Sequence, residues 1–283
     1  MCGAVDRQSA VMLQRLNRRA DSRSMQIERN NIYNVDCLEG MRYIADASID
    51  MIFSDLPYGM TKGKWDVIIP PAPLWEQYER IIKPNGAILL FGQDKFTAKM
   101  MLSNEKLHRY NIIWKKVHTG GFLNANRMPL REHEDIMVFY KQQPTYNPQK
   151  WIGKPSHSKG SASGKMASEL PSNRVYGDFV VMPGAGTEKF PTSVWEFNRI
   201  APSKALHSTE KPISLCRYAI RTYTNPGDTV FDSCCGAGSI PIAALMEGRK
   251  YIGMDNGVCD RAKSKYFGLP WAEVTRQRLN EVS

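Results

Sequence analysis

Residues 229–255 constrain this chain more tightly than any other stretch. Thr229-Val230-Phe231-Asp232 is a short β-prone run ending in a carboxylate, and Ser233–Ser239 follows with glycines at 236 and 238. Ile240–Glu247 reads as a helix, Gly248-Arg249-Lys250 as a turn, and Tyr251-Ile252-Gly253-Met254-Asp255 as a strand ending in an acid. Strand, helix and strand in that succession predict a βαβ unit. Glycines placed directly after a buried strand let backbone approach a ligand closely. The helix behind them presents free N–H groups at its start. In doubly wound sheets, an acid at the end of the following strand bonds a ribose diol. The unit predicts an adenosine-containing ligand at the carboxyl edge of a sheet. Pro241 occupies the third position of the dinucleotide glycine fingerprint, which favours an adenosyl ligand other than NAD. The plain alternative is a glycine turn that binds nothing.

The rest of the chain keeps the same rhythm. Asn31–Val35, Ile49–Phe53, Ala87–Phe91, Asn111–Trp114 and Asp135–Tyr140 read as strands. Leu38–Ile44, Trp75–Ile82, Phe96–Leu107 and Ile213–Tyr223 read as helices, with Lys83-Pro84-Asn85-Gly86 as a stop signal. The expected fold class is α/β, a doubly wound, mostly parallel Rossmann-like sheet with both faces covered.

Two segments break the pattern. Residues 1–28 are arginine-rich with a sparse apolar face, and read either as a frayed terminus or as a basic arm for phosphate. Residues 145–205 carry repeated prolines, a Ser/Gly/Lys run, and aromatics among more basic than acidic residues. So long a structureless loop is improbable inside a compact domain, which predicts an inserted module. The expected organisation is therefore 1–28 extension, 29–144 first half of the sheet domain, 145–205 insertion, and 206–283 second half. The net charge of +10 favours a polyanionic partner and excludes a strongly acidic role. Six cysteines without a Cys-x-x-Cys pair, and few histidines beside them, argue for free thiols and no metal site. No apolar run is long enough to span a bilayer, and no signal-peptide core is seen near the start, so a cytoplasmic protein without a membrane partner is expected.

Asp55-Leu56-Pro57-Tyr58 follows the Ile49–Phe53 strand directly. A carboxylate and a flat ring held there, with Pro57 stiffening the loop, suit an exocyclic amine on a planar base. Here the chain resembles the beta group of S-adenosylmethionine-dependent DNA amino-methyltransferases. Asp55-Leu56-Pro57-Tyr58 is similar to that family's Asp-Pro-Pro-Tyr, and His207-Ser208-Thr209-Glu210-Lys211-Pro212 to its His-Pro-Thr-Gln-Lys-Pro. Phe231–Ser239 is similar to its cofactor loop, and Val35-Asp36-Cys37-Leu38-Glu39 to its opening block. The order of these motifs is the group's permuted order: catalytic loop, recognition region, cofactor loop. Leu56 and Ser233 depart from the pattern, each standing where the family carries proline.

The resemblance implies transfer of a methyl group from S-adenosylmethionine to adenine N6 of a flipped-out base in double-stranded DNA, without a metal. It implies catalytic roles for Asp55, Leu56, Pro57 and Tyr58. It implies cofactor contacts from Asp36, Cys37, Lys211, Phe231, Asp232, Cys234, Gly236, Gly238, Ser239 and Asp255. It also implies target recognition by 145–205, a possible homodimer, and a prokaryotic or phage-infected host, as in restriction–modification pairs. Cytosine N4 is the enzymatic alternative, since Ser54 precedes Asp55 and cytosine members often begin this loop with Ser. A DNA-binding protein with a vestigial methyltransferase fold is the non-enzymatic one. Cys37 and Cys234 are expected to pack rather than react, and His133 and Glu134 to satisfy local turns. His207 is open between an interface and a structural role, and Lys62, Lys64 and Trp65 between a mobile lid and an ordinary solvated loop.

Overall fold

The computed structural model describes residues 26–154 except 62, 64 and 121, and residues 187–282 except 202, 208 and 263. The readings placed on 1–25, on most of the insertion, and on Lys62, Lys64 and Ser208 lie outside the described residues. Ten strands and six α-helices appear in the order β1 (Asn31–Tyr33), α1 (Cys37–Gly40), β2 (Ile49–Ser54), α2 (Pro71–Ile81), β3 (Ile82–Gly92), α3 (Asp94–Ser103), β4 (His108–Gly120), β5 (Arg131–Phe139), β6 (Trp151–Ile152), β7 (Glu188–Lys189), β8 (Val194–Phe197), α4 (Ile213–Tyr223), β9 (Thr229–Asp232), α5 (Ser239–Met246), β10 (Lys250–Met254) and α6 (Trp271–Asn280), among the described residues.

One sheet runs β1-β10-β9-β2-β3-β5-β4-β8. From β1 to β3 every pairing is parallel, while β5 is antiparallel to both β3 and β4. Side chains alternate between the two faces with a period of two, as the strand pleat requires. Met51, Phe53, Leu89 and Phe91 pack toward the α4–α6 layer, while Ile52, Ile88 and Leu90 pack toward α1–α3. The sheet is thus doubly wound and mostly parallel, as the strand–helix rhythm predicts.

The departures have local causes. Helix α2 begins at Pro71 rather than Trp75, because proline is tolerated in a first turn where its missing N–H would go unpaired anyway. Lys83–Gly86 does not separate helix from strand. Strand β3 starts at Ile82, which pairs with Ile49, and an excursion with Pro84 and Asn85 exposed bulges out before Ala87 pairs with Met51. Strands β4 and β5 run on past the apolar core as a charged hairpin, Lys115 opposite His133, which hydrophobic patterning does not reveal. The insertion is not wholly separate either. Val194–Phe197 is the outermost strand of the main sheet, parallel to β4, while β6 and β7 form a small ribbon of their own. Among the described residues, no helix is long and apolar enough to cross a membrane.

The chain order reverses between β2 and β9. These neighbours pair through Met51↔Val230 and Ile52↔Phe231, so their carboxyl ends, Ser54 and Asp232, open side by side. This is the topological switch point where ligands bind in such sheets. A buried hydroxyl cluster sews the two ends together. Ser233 N–H donates to Ser54 Oγ at 3.0 Å, the two serine Oγ atoms lie 3.1 Å apart, and Tyr78 OH lies 2.6 Å from Ser233 Oγ. The departure at Ser233 is thereby explained, since a proline there has no N–H to give. Replacing Ser54 by Ala orphans that buried N–H and should cost about 1–3 kcal/mol. Urea unfolding will read the loss as a lowered midpoint at unchanged slope, and a change under about 0.5 kcal/mol refutes the clasp.

Candidate active site

Twelve of the fourteen expected site residues line one cavity of about 1010 Å³ above the ends of β2 and β9. Asp55, Leu56, Pro57 and Tyr58 enter from β2, and Asp232, Cys234, Gly236 and Ser239 from β9. Asp36 and Cys37 close the side at β1, Asp255 reaches in from β10, and Lys211 precedes α4. Two residues are not in the lining. The Phe231 ring is fully buried in the apolar core facing α1–α3, because the strand pleat turns it away from the cavity. Gly238 lies beneath the loop with φ +86°, where an added Cβ would stand 2.5 Å from Thr275 Cγ2. It shapes the loop rather than facing a ligand.

Asp55 sits at the junction of the two halves. Its Oδ1 accepts from Tyr58 OH at 2.9 Å and its Oδ2 from Lys211 Nζ at 2.5 Å. Burial raises the Asp55 pKa above the usual carboxylate value, and the Lys211 ammonium restrains that rise. Burial and the neighbouring Asp55 hold the Tyr58 phenol well above its ordinary value, so it stays protonated. The Tyr58 ring is braced by Phe96, with centroids 4.7 Å apart. Leu56 is 4% exposed, packs in the core cluster facing α1–α3 and also lines the cavity. Lys211, expected beside the cofactor loop, is instead the direct partner of Asp55. Glu134 faces the same ammonium with Oε2 at 3.4 Å, and its Oε1 accepts from Lys116. Glu134 is therefore a cavity residue and not the local turn-former expected of it.

The glycine loop is held from behind by α6, an element the sequence reading passed over. Thr275 Oγ1 donates to Gly236 O at 2.8 Å, and Arg278 donates to Ala237 O and to Glu210 Oε1 at 2.9 Å. The signal was present as apolar residues at 271, 272, 274 and 279, a helical spacing just after Pro270. Asp255 accepts from Gly236 N–H and Gly257 N–H, both at 2.8 Å, which fixes its carboxylate at the cavity rim. Asp36 caps α1 through Leu38 N–H at 2.9 Å. The Cys37 thiol beside it and burial together raise the Cys234 pKa well above the ordinary thiol range. A thiol so placed is a packing group, because the thiolate is the reactive form.

A strap covers the catalytic loop. Asp66 accepts from the N–H groups of Gly59, Met60 and Thr61 at 2.7, 2.8 and 2.6 Å. Burial pushes the Asp66 pKa up, but these bonds outweigh it and leave it below the usual value. The Trp65 ring meets His207 edge-on at 4.8 Å, and His207 meets Trp271 at 5.3 Å. His207 thus packs between the strap and α6.

Asp232 is the most perturbed carboxyl on the cavity wall. Burial pushes its pKa up to about 8, although Cys234 N–H at 3.2 Å opposes the rise. Because the folded value exceeds the unfolded one, the folded state binds the extra proton. This contribution to stability is full below about pH 4 and is lost as pH climbs through about 8. Measured against Asp232→Asn, wild-type stability should therefore fall between about pH 5 and 8, by at most about 1.4 kcal/mol per unit. Urea midpoints across that range test this, and parallel pH profiles for the two proteins would refute it.

Comparison with known proteins places this geometry. The N6/N4 DNA methylase family model matches residues 49–263. Type II methyltransferase M2.MboI of Moraxella bovis is 25% identical over 281 residues, covering 89% of this chain and 88% of its own. DNA adenine methyltransferase YhdJ of Escherichia coli K12 is 26% identical over 246 residues, covering 81% and 79%. Among solved structures, the M1.HpyAVI–SAM complex superposes with a TM-score of 0.54 at 18% identity, covering 88% of this chain and 98% of that one, a likeness of fold. With its motifs gathered on one cavity and three-quarters of its length inside the family model, the chain belongs to the DNA methylase family of S-adenosylmethionine-dependent amino-methyltransferases.

Proposed function

We propose that this protein methylates N6 of adenine in double-stranded DNA, with Asp55 and the Leu56 carbonyl as the amine-binding pair. The observation that carries this reading is that Asp55, and not Ser54, heads the loop at the cavity. Ser54 is fully buried, and its hydroxyl is spent on Ser233. The serine that keeps cytosine N4 in play from sequence is thus turned into the core.

The residues present fit S-adenosylmethionine. Ser239 Oγ is buried on the cavity wall with no hydrogen-bond partner among the described residues, and an added Cβ at Gly236 would meet nothing within 4 Å. An orphaned hydroxyl at a helix start beside open space at a glycine is what a polar ligand tail requires. Asp255 would hold the ribose, Asp36 and Cys37 would flank the adenine, and Asp232, Gly236 and Ser239 would surround the methionine part. Lys211 is reassigned from this set to Asp55. When bound, the cofactor supplies an electrophilic methyl carbon on a sulfonium. That carbon would pass to the amine lone pair, the electrons of the old bond staying on sulfur.

The protein's part is to make that lone pair available. The amino nitrogen of adenine is conjugated with its ring. Hydrogen bonds from both amino hydrogens, to Asp55 and to the Leu56 carbonyl, favour the pyramidal nitrogen and strengthen as positive charge grows there. Tyr58, braced by Phe96, offers a ring already fixed for stacking. The methylated amine is strongly acidic and releases its proton to solvent, so Asp55 need not remove one beforehand. A base inside a duplex cannot reach the floor of this cavity, so the target is extruded. Exposed Trp151 and Phe190, the latter 4.9 Å from Lys150 Nζ, support placing DNA against the ribbon of the insertion.

Nucleoside mass spectrometry of DNA treated with the protein should show N6-methyladenine, and N4-methylcytosine alone would overturn the adenine assignment. Asp55→Ala should lower turnover by about a thousandfold or more. Its S-adenosylmethionine affinity by calorimetry should stay within about threefold, since the proposed cofactor contacts are untouched.

A further inference from the structure

Four charged side chains form a closed group beside the catalytic loop. Lys211 Nζ touches Asp55 Oδ2 at 2.5 Å and lies 3.4 Å from Glu134 Oε2, and Lys116 is bonded to Glu134 Oε1. Asp55 and Glu134 side chains are 19% and 13% exposed, and Lys211 and Lys116 only 6% and 15%. Two carboxylates and two ammoniums leave no net charge in this enclosed space. Glu134 Oε2 makes no hydrogen bond among the described residues. This oxygen meets Lys211 at ion-pair distance but without hydrogen-bond geometry. Its distance from Lys211 is short enough that a rotation of one lysine side chain completes the bond.

That bond is at present made to Asp55, where it conflicts with catalysis. Tyr58 donates to Oδ1 and Lys211 to Oδ2, so an incoming amine would have to share Asp55 with both. An ammonium in contact with Asp55 also opposes the positive charge that develops on the target nitrogen. We propose that Lys211 is a transferable counter-ion: it pairs with Asp55 until the target amine arrives, then passes to Glu134 Oε2 and frees Asp55 Oδ2 for the amine. The transfer moves no proton and breaks no covalent bond, and the group stays neutral throughout. The Phe91 ring, 4.9 Å below Lys211 Nζ, supports the ammonium along the short path between the two carboxylates. Lys116 anchors Glu134 so that the receiving oxygen is already in place. Lys211 and Glu134 are positioning residues in this scheme, which rests on the methyltransferase reading above.

The charges around Asp55 set the sign of the test. Lys211, Glu134, Tyr58, Asp232 and His207 all face it, with Cys216 beneath Lys211. Burial raises Asp55, Lys211 lowers it and Glu134 raises it. Lys211→Met leaves burial unopposed, so the acid limb of the single-turnover pH–rate profile should move up by about one unit or more. Lys211→Arg should restore its position. Glu134→Gln removes a raising charge and the landing place together, so the limb should move down while the plateau rate drops by about tenfold. S-adenosylmethionine affinity should stay within about threefold in all three variants. Opposite shifts of the limb support the relay. Limbs that stay fixed or move together, or a Glu134→Gln plateau equal to wild type, overturn it. If Lys211→Met does not fold, judged by its melting with cofactor, Glu134→Gln decides alone: a lowered limb with a reduced plateau supports the relay, and an unmoved limb or a wild-type plateau overturns it. Failure of the parent reading is separately visible, because wild-type protein would then methylate no adenine at all.

Discussion

Everything at the site depends on β2 and β9 lying side by side. Their pairing sets the ends of two segments 179 residues apart in the chain, Ser54 and Ser233, within hydrogen-bonding distance in the dry interior. Parallel strands must be joined by crossovers, so adjacency in the sheet is independent of adjacency in the chain. The Ser54–Ser233–Tyr78 cluster fixes the relative height of the two loops through buried hydroxyl contacts. With that height fixed, the amine-binding loop and the glycine loop share one cavity wall, and proximity becomes a property of the scaffold.

Charge is managed at the same junction. Asp55, Asp232 and Asp255 all reach the cavity, and burial raises the pKa of each. The protein answers the three differently. Asp55 receives an ammonium, Asp255 receives two backbone N–H groups, and Asp232 receives one N–H and stays the most perturbed. The strap pinned by Asp66 and the Trp65–His207–Trp271 ring contacts close this region from outside.

Much of this was legible beforehand because it is written in short-range chemistry. The glycine at 238 answers a positive φ and a 2.5 Å approach of Thr275. Asp255 terminates its strand at the rim, and Ile213–Tyr223 shows its apolar face at helical spacing. The failures are equally physical. Phe231 sits inside a motif but points into the core, because motif membership carries no information about pleat direction. The charged arm of β4 and β5 lacks alternation since it stands beyond the core, while α6 was passed over although Gly268 and Pro270 mark its start.

By itself the sequence determined the fold class, the succession of the two loops and the chemical type of each, since these follow from periodicity, turn residues and side-chain identity. Only the tertiary structure decided that Ser54 faces inward, that Lys211 belongs to Asp55 rather than to the glycine loop, and that Glu134 and Lys116 complete its charge group. These are pairings between residues tens to hundreds of positions apart. They are set by strand order and by the need to neutralise charge removed from water, and neither is encoded locally in the chain.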